Sequence, residues 1–255
     1  MLKNDTTLFQ INHIYQAFSL LTRLPTPEPT FSTTSPAAEA GWAYPIVGIF
    51  IALLASAIGF SLTFLGFDSG IVAGVVVISI IFFTGGMHED GLADSADGFW
   101  GSWEPARRLD IMKDSHIGTF GVIALFFSLL LRWYCIKISI EGSFFFTSLI
   151  IATTLSRSAI PLIMSILPNA REDGLSAKTG QPSNITILVA IAIGTFTTLL
   201  FSGWAGIIII TVFLLTLGIA MLLSRSKIGG QTGDTIGASQ QLAELSIFSC
   251  LIVLF

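Results

Sequence analysis

Six long apolar stretches, near residues 46–67, 70–86, 117–137, 144–167, 184–202 and 204–223, dominate this chain. A seventh begins near 242 and runs to the last residue. Most approach the ~20 residues an α-helix needs to cross the hydrocarbon of a bilayer. Within hydrocarbon the backbone has to satisfy its own N–H and C=O groups, so runs of this length dictate helices. From Leu242 to Phe255 is 14 residues, about 21 Å at 1.5 Å per residue, which leaves a full seventh crossing open. The expected fold class is all-α: a polytopic membrane bundle of six to seven transmembrane helices. Only 11% of the 255 residues are charged, against roughly 25% in soluble domains. That share excludes an ordinary soluble enzyme, a disordered protein and a nucleic-acid binder.

Ahead of the first span, Ile11, Tyr15, Phe18 and Leu21 recur at helical spacing within 8–22, with Asn12, Gln16 and Ser19 between them. This pattern predicts an amphipathic helix lying at the interface or on the bundle. Residues 23–45 carry five prolines and read as an irregular connector. The chain is therefore expected to be one domain over 1–255, with 1–45 as helix and connector and 46–255 as the bundle. No signal-peptide pattern precedes it, since Lys3 is followed by Asn4, Asp5, Thr6 and Thr7. Cys135 and Cys250 lie inside apolar runs and read as small buried side chains, not a disulfide.

The links at 68–69, 138–143 and 203 are short, whereas 87–116, 168–183 and 224–241 are long and polar. With a reversal at every link, all three long loops fall on one face, together with the N-terminal segment. Lys3, Arg23, Arg107, Arg108, Lys113, Arg171, Lys178, Arg225 and Lys227 lie on that side, and only Lys137 on the other. The positive-inside rule makes the long-loop face cytoplasmic.

Loop 87–116 holds Glu89, Asp90, Asp94, Asp97, Glu104, Asp110 and Asp114. On a helix, Asp90, Asp94 and Asp97 share one face at i, i+4, i+7, and Asp110 and Asp114 form a second pair. Like charges so stacked repel unless a cation sits between them. All-oxygen ligands favour Mg²⁺ or Mn²⁺, which leaves coordination positions to phosphate oxygens. A solvated acidic loop is the plain alternative, but the small apolar residues of GLADSADGFWG argue against it. His88 and His116 read as structural or hydrogen-bonding residues ahead of metal ligands. A second polar loop carries Arg171, Glu172 and Asp173. A third, GGQTGDTIGA, offers Gly230, Gly233 and Asp234 for close approach to phosphate. Within the spans, Arg157 should face the interior and either pair with an acid or bind an anionic substrate group. Arg132, beside Trp133, is accounted for by snorkelling.

GGMHEDGLADSADGFWG (85–101) followed by LDIMKDSHIGTFG (109–121) resembles the signature of the cobalamin synthase family, the adenosylcobinamide-GDP ribazoletransferases. FSLLTRLPTP (18–27), LPNAREDGL (167–175) and GGQTGDTIGASQQLAE (229–244) resemble its other motifs, in order and over nearly the whole chain. His116 stands where that family more often has arginine, which leaves its role open. The resemblance implies a Mg²⁺-dependent enzyme of the bacterial cytoplasmic membrane. It joins adenosylcobinamide-GDP to α-ribazole, or its 5′-phosphate, and releases GMP at the cytoplasmic face. On this reading Asp90, Asp94, Asp97 and Asp114 hold the metal, and Asp94 or Asp97 takes the hydroxyl proton. Lys113, Arg157 or Arg171 grip phosphate, and the loop with Gly230, Gly233 and Asp234 closes over the nucleotide. Further partners would be a second copy or other cobalamin-assembly enzymes. The spacing also echoes CDP-alcohol phosphotransferases, although Gly101 and Ser102 replace an Ala-Arg pair, and membrane prenyltransferases. A transporter is disfavoured because every acid is expected in a loop or at a span end.

Overall fold

A computed structural model describes residues 9–29 and 36–255. Lys3 and the start of the 8–22 segment lie outside the described residues. Helix α1 (Ile11–Leu21) is followed by a 3₁₀ helix (Ala37–Ala43) that runs into α2 (Tyr44–Phe64). Then come α3 (Ser69–Thr84), α4 (Met87–Gly101), α5 (Pro105–Ile111), α6 (Thr119–Glu141) and α7 (Phe145–Ile166). The chain closes with α8 (Leu175–Thr179), α9 (Asn184–Ser202), α10 (Ala205–Ile228) and α11 (Gly233–Leu254). Six helices are long and apolar enough to span a membrane, seven if the bent α3–α4 pair counts as one span. The chain is a polytopic helical membrane bundle.

At eleven residues, about 16 Å, α1 is too short to cross. It lies on the 3₁₀ helix, where Trp42 Nε1 donates to His13 Nδ1 at 3.0 Å. The connector is less irregular than its prolines suggest. Ala37–Ala43 form the 3₁₀ helix, Tyr44 and Pro45 begin α2, and Glu39 reaches across to accept from the backbone N and Oγ of Ser183 and from Thr186 Oγ1 at the start of α9.

Helix α7 is buried along most of its length and forms the hub. Small residues set its spacing to α2: a Cβ on Gly48 would stand 2.3 Å from the Thr153 carbonyl oxygen, and Thr153 Oγ1 donates to Gly48 O at 2.8 Å. In a membrane, where apolar side chains gain nothing by leaving lipid, such close contacts and polar bonds hold helices together.

Two expectations change. The loop at 87–116 is largely helical, and the bundle's last helix begins at Gly233, not near 242. Helix α11 has 22 residues, about 33 Å, enough to span. Its first half escapes a hydropathy reading because Gln240, Gln241 and Glu244 are polar, yet all three are buried against other helices.

Between α3 and α4 the chain turns by 90° at Gly85 and Gly86, both left-handed with φ of 69° and 70°. The turn lays α4 across the N-terminal ends of α6 and α11 and the C-terminal end of α10. Gly91 packs on Asp234, Gly121 on Ala93 and Asp97, and the Lys227 ammonium sits 5.1 Å from the Trp100 ring centre. Helix α4 thus packs on the long-loop ends of these helices, with Glu89 of its first turn reaching inward to Arg132.

Candidate active site

The acids of α4 divide by their surroundings. Asp97 Oδ2 accepts from Gly118 N at 2.7 Å, and Oδ1 from Gly121 N at 2.9 Å. It caps the start of α6, where free N–H groups and the helix dipole favour an anion. Gly118 and Gly121 have to be glycine for this: a Cβ on either would stand 2.5 and 2.4 Å from the Asp97 carboxylate oxygens.

Asp90, Asp94 and Asp114 instead line one cleft of about 490 Å³, with Lys113 and His116 in its wall. Among the described residues, no protein donor reaches the carboxylate of Asp90 or Asp94. Burial, with Asp90, Asp234 and Asp97 nearby, pushes Asp94 up to about 7, with Arg171 opposing. Asp114 is exposed and accepts from His116 Nδ1 at 2.7 Å, which holds the carboxyl below its ordinary range and the imidazole above its own. Lys113 is engaged at the rim by Asp173 at 2.7 Å. No three His, Cys, Asp or Glu among the described residues stand in metal-ligating geometry.

Asp90 also borders a second cavity, of about 150 Å³, together with Arg171, Gly233, Asp234 and His88. The second and third polar loops build its rim as one unit. Ala170 N donates to Gln231 O at 2.9 Å and Gln231 N to Pro168 O at 2.8 Å, and Gln231 Nε2 donates to Asn169 Oδ1 at 2.6 Å. Gly230 serves this junction and does not line the cavity: its Cβ would lie 2.1 Å from the Pro168 carbonyl oxygen. Arg171 Nη2 donates to Asp234 Oδ2 at 3.1 Å, while its buried Nε and Nη1 have no partner.

Arg157 stands apart from both recesses. Its Nη1 lies 3.3 Å from Glu244 Oε2 and 3.0 Å from the Thr153 carbonyl oxygen. Arg132 does not snorkel: it is 1% exposed, pairs with Glu89 at 2.9 Å and donates to Gln241. Gln240 Nε2 completes the network on Glu244 Oε2 at 2.7 Å. Glu89 and Glu244 were missed in the sequence, where Glu89 read as one more loop acid and Glu244 as a span-end acid. Both lie buried opposite arginines. Acids thus do lie inside the bundle, contrary to the placement that disfavoured a transporter. The signal was present as the spacing of Gln240, Gln241 and Glu244, one polar face of a helix that has two buried arginines to meet.

The same chain order and motifs match a family model described as cobalamin-5-phosphate synthase over residues 13–252. The chain belongs to that family. A protein of Mesorhizobium japonicum named adenosylcobinamide-GDP ribazoletransferase is 37% identical over 226 residues, covering 89% of this chain and 87% of the relative. Proteins of the same name from Bradyrhizobium diazoefficiens (36% identity, 91% and 89% covered) and Shewanella baltica (33%, 96% and 95%) are also similar. No solved structure matches. Membership of the cobalamin-5-phosphate synthase family makes the chain an enzyme, a transferase of cobalamin synthesis. It sets aside the CDP-alcohol and prenyl transferase alternatives.

Proposed function

We propose that this enzyme joins adenosylcobinamide-GDP to α-ribazole, or its 5′-phosphate, with release of GMP, at the cytoplasmic face of the bacterial inner membrane. The observation that carries the reading is the cleft in which Asp90, Asp94 and Asp114 stand together, adjoining at Asp90 a cavity rimmed by Arg171. The residues suit Mg²⁺. Two carboxylates without protein donors, one of them resisting ionisation, describe a site short of positive charge, and Mg²⁺ takes one or two carboxylates with the remainder from water and phosphate. Asp90 and Asp94, with Asp114 across the cleft, would hold it. When bound it would neutralise charge on the transferring and departing phosphates.

The protein's own groups supply the rest. Arg171, oriented through Nη2 by Asp234, offers Nε–H and Nη1–H to phosphate oxygens. Lys113 would have to leave Asp173 to do the same. Asp94, whose oxygens no protein donor among the described residues holds, is better placed than Asp97 to take the ribazole hydroxyl proton. Asp97 has both oxygens occupied in capping α6.

Purified protein, Mg²⁺ and the two substrates should yield adenosylcobalamin and GMP by mass detection. Asp94→Asn should lower turnover about a hundredfold or more. Absence of product from the wild type would overturn the reaction, and full activity in Asp94→Asn would overturn the site.

A further inference from the structure

A diphosphate and its metal account for the acidic cleft but not for the cavity on the other side of Asp90. That cavity is walled by Leu21, Tyr44, Ile160, Met164 and Ile236, and the polar side chains of His88, Asp90, Arg171, Ser176, Thr179 and Asp234 share its lining. One of them is His88, on the first turn of α4. It is 2% exposed, and neither Nδ1 nor Nε2 has a hydrogen-bond partner. Gly237 packs against the His88 backbone, with a Cβ there at 3.3 Å from Cα, so α11 fixes the stretch of α4 from which the imidazole projects. Arg171 Nε and Nη1, also buried and unpartnered, belong to a residue lining the same cavity. Each buried polar group left unsatisfied costs about 1–3 kcal/mol, and native proteins keep few of them. Three such atoms of donor or acceptor type around one apolar recess, in addition to the second imidazole nitrogen, describe a binding pocket with its ligand contacts still open.

The chemistry specifies the occupant. Aliphatic walls and one tyrosine ring suit a flat, uncharged ring system. A neutral imidazole offers one N–H and one lone pair to a ring nitrogen. The guanidinium suits a sugar oxygen or a phosphate. We propose that this cavity is the acceptor subsite: it takes the planar heteroaromatic base of the ribonucleoside, with His88 bonded to a ring nitrogen and Arg171 to the ribose side or its 5′-phosphate. This rests on the transfer reaction proposed above and adds where the acceptor lies. Because Asp90 lines both recesses, the acceptor's sugar is brought to the edge of the acidic cleft, and donor and acceptor approach one carboxylate from two sides. His88 is then a specificity and positioning residue that touches the base and not the reacting atoms.

The test uses the full chain in nanodiscs, with benzimidazole as the probe in equilibrium dialysis and steady-state kinetics alongside. Wild type should bind benzimidazole, His88→Leu should weaken binding about tenfold or more, and His88→Gln should recover most of it. In His88→Leu the KM for α-ribazole should rise by a similar factor, with kcat and the KM for adenosylcobinamide-GDP little changed. Its melting temperature should not fall, because hydrocarbon replaces a buried ring that has no partner. Unchanged probe affinity and acceptor KM in His88→Leu would overturn the inference. So would weaker probe binding and a raised acceptor KM that accompany a lowered melting temperature and are not rescued by glutamine. If wild type forms no adenosylcobalamin, the proposed reaction fails and dialysis alone decides the cavity: binding lost in His88→Leu supports the subsite, and no binding in wild type overturns it.

Discussion

Asp94 and Asp97 are three residues apart on one helix, yet their surroundings give them opposite chemistry. Asp97 has each carboxylate oxygen taken by a backbone N–H at the start of α6, and Asp94 is crowded by other anions. Asp97→Asn should therefore act on folding, lowering stability by about 1–3 kcal/mol in a thermal melt, with kcat of the folded protein largely retained. Asp94→Asn should do the reverse. Equal loss of kcat in both would place Asp97 in the chemistry. The sign of the Asp94 shift gives a second expectation. Its folded value of about 7 exceeds the ordinary value near 3.9, so between those limits the folded protein keeps a proton that an unfolded chain has lost. Mg²⁺ needs the ionised form, so adding it should release close to one proton at pH 6 and almost none at pH 8, read with an indicator dye in weak buffer. Equal release at both would separate Asp94 from the metal.

At the scale of elements, the glycine pair at 85–86 decides whether α4 continues α3 or turns across the bundle. Both residues adopt the left-handed region, which costs an L side chain about 1–2 kcal/mol. Gly85 carries a further constraint, since a Cβ there would lie 2.4 Å from Arg23 Nε, whose backbone N–H donates to Phe83 O at 2.7 Å. Gly85→Ala should thus destabilise more than Gly86→Ala, and more than the backbone cost alone, in parallel melts. Similar melts for the two would mean that Arg23 yields freely. Helix α11 makes a related point. Its polar half is helical because Arg132 and Arg157 wait opposite Glu244, and removing one partner of such a buried pair typically costs about 3–5 kcal/mol.

For the whole molecule, helix directions place the α4–α5, α7–α8–α9 and α10–α11 connections on one face, with Gly142 and Gly203 on the other. Single cysteines at 178 and 142, in a chain otherwise lacking Cys135 and Cys250, should be labelled by a membrane-impermeant thiol reagent from opposite sides. Position 178 should react only in inside-out vesicles. Labelling of both from one side would refute the topology, and reaction of 178 in right-side-out vesicles would reverse the orientation.

The length of the apolar runs, the alternation of link lengths and the crowding of acids after Gly86 were enough to determine a helical membrane bundle with its long polar connections on one face. Those properties follow from hydrocarbon thickness and from charge, and both are local in sequence. Tertiary structure decided what depends on contacts between distant segments. It turned Asp97 onto the amides of Gly118 and Gly121, and it spent the charge of Arg157 on Glu244, 87 residues away. It joined Pro168 to Gln231 so that two loops form one rim, and it left His88 buried and unpartnered in the lining of the cavity below that rim. A carboxylate or an imidazole reads the same in a sequence whether its hydrogen bonds are filled or open, and only packing determines which.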